Sequence, residues 1–107
     1  MGGQMKKAVE IDYEIRDIRR RGLHGRDKLF RKLSEEVGEY AEAIELLYGN
    51  KRKVEKFLGL NSMDRLRDEI TDVIMIALCL AEIDGLGVDR VLDSVLEKIK
   101  KFSMENK

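Results

Sequence analysis

Apolar residues recur at three- and four-residue intervals along most of the chain, a spacing that gathers them on one face of an α-helix. The interruptions fall at glycine. Val9, Ile11, Ile15 and Ile18 belong to the first stripe, which predicts a helix from about Gln4 to Arg21. Gly22 and Gly25 bracket a short link, Gly22-Leu23-His24-Gly25. A second helix is expected from about Asp27 to Tyr48, stopped by Gly49-Asn50. Lys51 to Leu58 reads as a short extra helix ahead of Gly59. The third, capped by Asn61 or Ser62, should run to about Asp84. Beyond Gly85-Leu86-Gly87, Asp89 stands where it would cap a fourth, with Val91, Leu92, Val95, Ile99 and Phe102 at helical spacing. No strand pattern competes, and the absence of proline lets long helices persist. The expected fold is all-α: a four-helix bundle formed by residues 1–107 as one domain.

Two features extend that picture. The run Val73 to Ala81 is apolar on every side, which calls for burial on several sides. A 107-residue bundle provides little interior for it, so the fold is expected to be completed by homo-oligomerisation, as a homodimer or homotetramer. The same run is far too short to span a bilayer, and Met1 to Lys7 lacks the apolar stretch of a signal peptide. A cytoplasmic protein without a membrane partner is expected. Cys79, the only cysteine, lies within the apolar run and reads as a buried, inert thiol rather than a reactive one. Lys+Arg and Asp+Glu both number 21, a balance unlike that of proteins that coat nucleic acid, so no stable nucleic-acid partner is expected.

The distribution of acids is more telling than their number. With Leu33 at 0° on a helical wheel, Val37, Tyr40, Ile44 and Leu47 fall within about 40° of it. Glu36 then falls at about −60°, on the shoulder of the stripe, and Glu39 about 60° beyond that. Glu35, Glu42 and Glu45 point away. From Leu66, Glu69 and Asp72 take the same two positions beside a stripe of Ile70, Val73, Ala77 and Leu80. Leu33 to Tyr40 thus repeats as Leu66 to Val73, acid for acid and apolar for apolar. In a chain that is 39% charged, one such pair is unremarkable and reads as a solvated helix face. Two pairs in matching register imply helices that face each other and bring four carboxylates together. Such a cluster is costly unless cations neutralise it. Hard oxygen donors select Mg²⁺, or Mn²⁺, and Mg²⁺ characteristically takes phosphate oxygens as further ligands.

These residues resemble the MazG-like all-α nucleotide pyrophosphohydrolase superfamily, which carries ExxE on one helix and ExxD on the next. Here the motifs read Glu36-Val-Gly-Glu39 and Glu69-Ile-Thr-Asp72, within KLSEEVGEYAEAI and RLRDEITDVIMIALCLAEIDGLGVD. The resemblance covers about Gly22 to Phe102. It implies Mg²⁺-dependent hydrolysis of a (d)NTP between the α- and β-phosphates, giving a monophosphate and pyrophosphate. By the same resemblance Glu36, Glu39, Glu69 and Asp72 are metal ligands, with Glu35 and Glu36 catalytic and Glu35 placed to orient water or a second metal. Lys98, and with it Lys101, matches the phosphate-binding lysine of helix four in LEKIKKF. The chain departs from the family in a slightly long gap of 29 residues between Glu39 and Glu69. The added segment KRKVEKFLGLNS would serve as a lid or part of a base pocket. The asparagine usual in helix four is also not evident.

Other candidates carry two readings each. His24, the sole histidine, would touch base or phosphate, or be a loop residue without a role. Arg16, Arg19, Arg20, Arg21 and Arg26 are a charged helix end, favoured by the helix dipole, or a phosphate-binding group. Tyr48, Phe57 and Phe30 could stack on a base, although core packing suits Phe30 better. Neither acidic helix offers ExxH, which argues against a di-iron centre. Two functions compete with (d)NTP hydrolysis: a non-catalytic helical homo-oligomer acting as a binding or scaffold module, and hydrolysis of phosphoribosyl-ATP within the same superfamily.

Overall fold

A computed structural model describes residues 2–48 and 62–106. Its helices are α1 (Gly2–Arg20), α2 (Arg26–Tyr48), α3 (Ser62–Ile83) and α4 (Val88–Glu105). There is no strand among the described residues. The fold class is therefore all-α with four helices, as the periodicity predicts. The extra helix expected over Lys51 to Leu58, the stop at Gly49-Asn50, the Asn61 cap and Phe57 lie outside the described residues.

The links follow from glycine. At the end of α1, Gly22 N–H donates to Arg19 O at 3.0 Å and Leu23 N–H to Ile18 O at 3.4 Å. At the end of α3, Gly85 N–H donates to Glu82 O at 3.0 Å and Leu86 N–H to Ala81 O at 2.9 Å. Each pair of bonds is the Schellman closure, with glycine in the left-handed conformation just past the helix: φ is 63° at Gly22 and 73° at Gly85. A Cβ built on Gly85 meets nothing within 4 Å. Gly85→Ala should therefore cost only the backbone penalty, about 1 kcal/mol, read as a lower denaturant midpoint. Gly25→Ala, which has the same open surroundings without a positive φ, should leave the midpoint unchanged.

The start of α4 corrects the sequence expectation. Gly87, at φ 78° and ψ 123°, is the N-cap and offers no side-chain bond. Asp89 lies inside the first turn, where its charge favours the helix dipole instead of capping.

The contacts divide the chain into two compact units, one of Arg26–Ala77 and one of Met1–Gly25 with Leu78–Lys107. Within the first, Leu29, Ala43, Leu46 and Ile76 are buried. Leu33, Tyr40 and Val73 are half-buried, whereas Val37, Ile44 and Ala77, assigned to the core stripes from sequence, are exposed. The buried face of each helix is thus turned by about 60° on the wheel toward its acidic residue. Leu29, Glu36 and Ala43 lie seven residues apart, as do Glu69 and Ile76, and seven residues nearly complete two turns. Glu36 and Glu69 therefore stand at the centre of the inward faces, not on their shoulders.

Within the second unit, Ile15, Cys79, Ala81 and Val88 are buried, and α1 packs on α4. Arg19 Nη1 donates to Glu82 O at 2.9 Å and to Glu82 Oε1 at 3.3 Å, which partners the buried Glu82. Burial pushes the Cys79 thiol up, in keeping with an inert residue. The run Val73 to Ala81 is not enclosed on every side by its own chain, since Ile74 and Met75 are exposed. No helix among the described residues is long and apolar enough to cross a membrane.

Candidate metal centre

Helices α2 and α3 meet at their acidic segments. One carboxylate oxygen from each of Glu36, Glu69 and Asp72 lies within 4.8 Å of the others. All three residues are half-buried. Glu39 is exposed, and its charge is among the causes that raise the proton affinity of both Glu36 and Glu69. All four acids of the two motifs are thereby brought together, three converging and the fourth at the rim. Glu35 does not join them: it is exposed, one position along α2 and so about 100° around the helix from Glu36.

The electrostatics record the strain of this arrangement. Desolvation, the largest cause, raises the proton affinity of Glu36, and the charges of Glu39 and Asp72 add to it. Glu69 is raised in the same way, first by burial and then by Glu39, with Arg65 opposing. Arg65 Nε lies 3.8 Å from Glu69 Oε1, four residues away along the helix. Sequence inspection overlooked this cation, although the Arg65–Glu69 spacing of a helical ion pair is its signal.

Glu36 Oε2 and Glu69 Oε2 are buried without a hydrogen-bond partner among the described residues. Buried carboxylate oxygens are normally satisfied. Two that are not, one on each of α2 and α3 and both residues grouped with Asp72, make a cation the fitting missing partner. The donors are all oxygen and all anionic, which fits Mg²⁺ or Mn²⁺ and disfavours softer metals.

Lys98, Lys101, His24 and the arginines from Arg16 to Arg21 belong to the other unit. Lys98 is exposed and lines a shallow depression with Leu86, Arg90, Val91, Ser94 and Val95. Lys101 is exposed, its Nζ 4.0 Å from Glu105 Oε1. His24 is half-buried, with Nδ1 lacking a hydrogen-bond partner among the described residues. The arginines near the end of α1 are engaged with acids: Arg16 with Asp12 at 3.2 Å, Arg19 with Glu82, and Arg20 and Arg21 both with Asp17. The hydrogen bond from Arg20 is the main cause that holds the Asp17 carboxyl below its usual range. These pairs support the charged-helix-end reading. Phe30 is exposed and so is not the core residue expected. Tyr48 is exposed as well.

Compared with known families, residues 24–103 match the MazG nucleotide pyrophosphohydrolase domain. No curated protein and no solved structure matches the chain.

Proposed function

We propose a function from one premise: the chain belongs to the MazG nucleotide pyrophosphohydrolase domain family. Its general activity is accordingly nucleotide pyrophosphohydrolysis, in a family that depends on divalent metal. The finer reading is that residues 1–107 act as one Mg²⁺-dependent enzyme that cleaves a (d)NTP to the (d)NMP and pyrophosphate. The observation that carries it is the pair of orphaned oxygens of Glu36 and Glu69, beside Asp72. A scaffold module gives no reason to bury unneutralised carboxylates, whereas a triphosphate-binding metal site requires them.

Glu36, Glu69 and Asp72, with Glu39 at the rim, would hold Mg²⁺ or Mn²⁺. Bound there, the metal supplies neutralising charge to the phosphate oxygens and lowers the pKa of water. Water attacks the α-phosphorus, the bond to the α–β bridging oxygen breaks, and pyrophosphate leaves. The proton that water loses goes to Glu35, as the family resemblance implies, or to another carboxylate nearer the converging set. Lys98, seconded by Lys101, binds phosphate as a point charge, and His24 contacts base or phosphate. These last assignments rest on the family resemblance and, for Glu35, Lys98 and Lys101, on their exposure. In this reading the enzyme is a cytoplasmic homodimer or homotetramer, consistent with the exposure of Ile74 and Met75.

The test is a panel of all NTPs, dNTPs and phosphoribosyl-ATP, each with Mg²⁺, analysed for monophosphate and pyrophosphate. Turnover of at least one free (d)NTP is expected. Turnover of phosphoribosyl-ATP alone would select the histidine-biosynthetic reaction. No turnover by folded protein would remove the enzymatic reading.

A further inference from the structure

Among the described residues, Arg65 is the one cation in an ion pair with any of Glu36, Glu39, Glu69 and Asp72. Its place on α3 is not that of an outward charge. With Arg65 at 0° on a helical wheel, Asp72 falls at about −20°, Ile76 at about 20° and Glu69 at about 40°. Arg65 therefore shares a face with two of the proposed metal ligands and with buried Ile76, and stands one turn nearer the start of the helix than Glu69. Arg67, about 160° away on the same wheel, is the contrast. Its side chain is 77% exposed and pairs outward with Asp64 at 3.5 Å.

The contact with Glu69 leaves the guanidinium largely unused. Nε lies 3.8 Å from Glu69 Oε1, an attraction between charges that is too long for a hydrogen bond. A guanidinium carries five N–H donors, and among the described residues none of those of Arg65 makes a hydrogen bond. Arg19, by comparison, commits its guanidinium to two bonds with Glu82. The Arg65 side chain is 36% exposed against 13% for Glu69, so it is the more open of the two to an incoming molecule. The balance of charge also changes on metal binding. In the metal-free protein Arg65 offsets part of the repulsion at Glu69. A divalent cation on Glu69 would take over that carboxylate and repel Arg65, leaving it without its ion-pair partner.

We propose that Arg65 is a phosphate-binding residue: paired with Glu69 in the metal-free protein, it turns to the phosphate oxygens of the nucleotide when the metal takes Glu69. A nucleotide held by that metal brings anionic oxygens beside the carboxylates, and the planar fork of a guanidinium matches two phosphate oxygens at once. Arg65 thereby favours the metal nucleotide over the bare ion, which it opposes by its own charge. The proposal rests on the metal-dependent reading of the site and adds the residue of α3 that meets the substrate.

The experiment is calorimetric titration of the full chain with Mn²⁺ alone and with Mn²⁺-tripolyphosphate, a base-free stand-in for the triphosphate. Arg65→Gln should bind Mn²⁺ alone at least as tightly as the unaltered chain, since a repelling cation is gone. It should bind Mn²⁺-tripolyphosphate about tenfold more weakly, the loss expected for a hydrogen bond to a charged group. Arg65→Lys keeps the charge beside Glu69 and loses the fork, so it should bind Mn²⁺ as the unaltered chain does and the tripolyphosphate about threefold more weakly. Arg67→Gln should change neither affinity. Circular dichroism checks the helices, and Arg65→Lys decides the matter where Arg65→Gln does not fold. The proposal is overturned if the variants at Arg65 hold Mn²⁺-tripolyphosphate as tightly as the unaltered chain. It is overturned equally if they lose both ligands in the same proportion, the mark of an ion pair that only supports the helix. An unaltered chain that binds no Mn²⁺ defeats the metal site and this proposal together, whereas normal Mn²⁺ binding with tripolyphosphate indifferent to Arg65 defeats the proposal alone.

Discussion

Replacing Glu36 with Gln should lower (d)NTP hydrolysis by about a thousandfold while making the metal-free protein more resistant to unfolding. The two effects have one origin. Glu36 stands between buried Leu29 and Ala43 on the inward face of α2, and its oxygens meet Glu69 and Asp72 of α3. The amide keeps the shape but loses the charge, and with it a metal ligand. A metal's stabilisation of phosphoryl transition-state charge is worth several kcal/mol, and each 1.36 kcal/mol is a factor of ten in rate. In the absence of metal, that same charge is held in a desolvated site among like charges, which is why its proton affinity is raised. The amide ends this repulsion and can donate to the neighbouring carboxylates.

The combination distinguishes a ligand from a structural residue. A structural role predicts loss of both activity and stability, and a solvated acid predicts neither change. Glu42→Gln, on an exposed position of the same helix, is the control and should leave kcat/KM and the unfolding midpoint unaltered. A Glu36→Gln protein that retains full turnover would remove Glu36 from the site.

The helices and their breaks were legible because they depend on local chemistry. Gly22 and Gly85 end α1 and α3 in the left-handed conformation that glycine adopts freely. The link before α4 was harder to read, because both Gly87 and Asp89 can begin a helix and only backbone geometry shows that Gly87 does. The meeting of the two acidic segments was also legible, through the repeat of Leu33–Tyr40 as Leu66–Val73 and through the motifs it contains.

The orientation of the helices was not. Counting apolar positions alone placed Val37, Ile44 and Ala77 inward and the acids at the margin, since burying a carboxylate is unfavourable on its own. The structure turns both helices so that Glu36 and Glu69 face inward, in line with buried residues seven positions away. A rule that treats charge as a mark of the surface fails where the charge is there to be neutralised. Nor could spacing reveal that Arg19 partners Glu82, because 63 residues separate them. It could not show that Glu35 stays outside the converging set while its neighbour enters it.

Adding Mg²⁺ or Mn²⁺ to the folded protein should raise its melting temperature, and more at pH 8 than at pH 5. Glu36 and Glu69 bind protons more tightly in the folded chain than in the unfolded one. Over the interval from the ordinary glutamate pKa up to the raised values, the folded state therefore holds more protons, and the metal-free protein loses stability as pH rises through it. Below that interval the carboxyls are neutral in both states and the penalty vanishes. A divalent cation replaces those protons as the partner of the buried oxygens, so it competes with them at pH 5 and binds unopposed at pH 8. At a free concentration a hundred times the dissociation constant, binding to the folded state alone adds about 2.7 kcal/mol. For a chain of this size that is a shift of roughly 10–20 °C. EDTA should reverse it, NaCl at matched ionic strength should not reproduce it, and E36Q/D72N should abolish it. A shift of equal size at both pH values, or one that survives in E36Q/D72N, would mean that the ion acts on the protein's general charge and not at the facing carboxylates of α2 and α3.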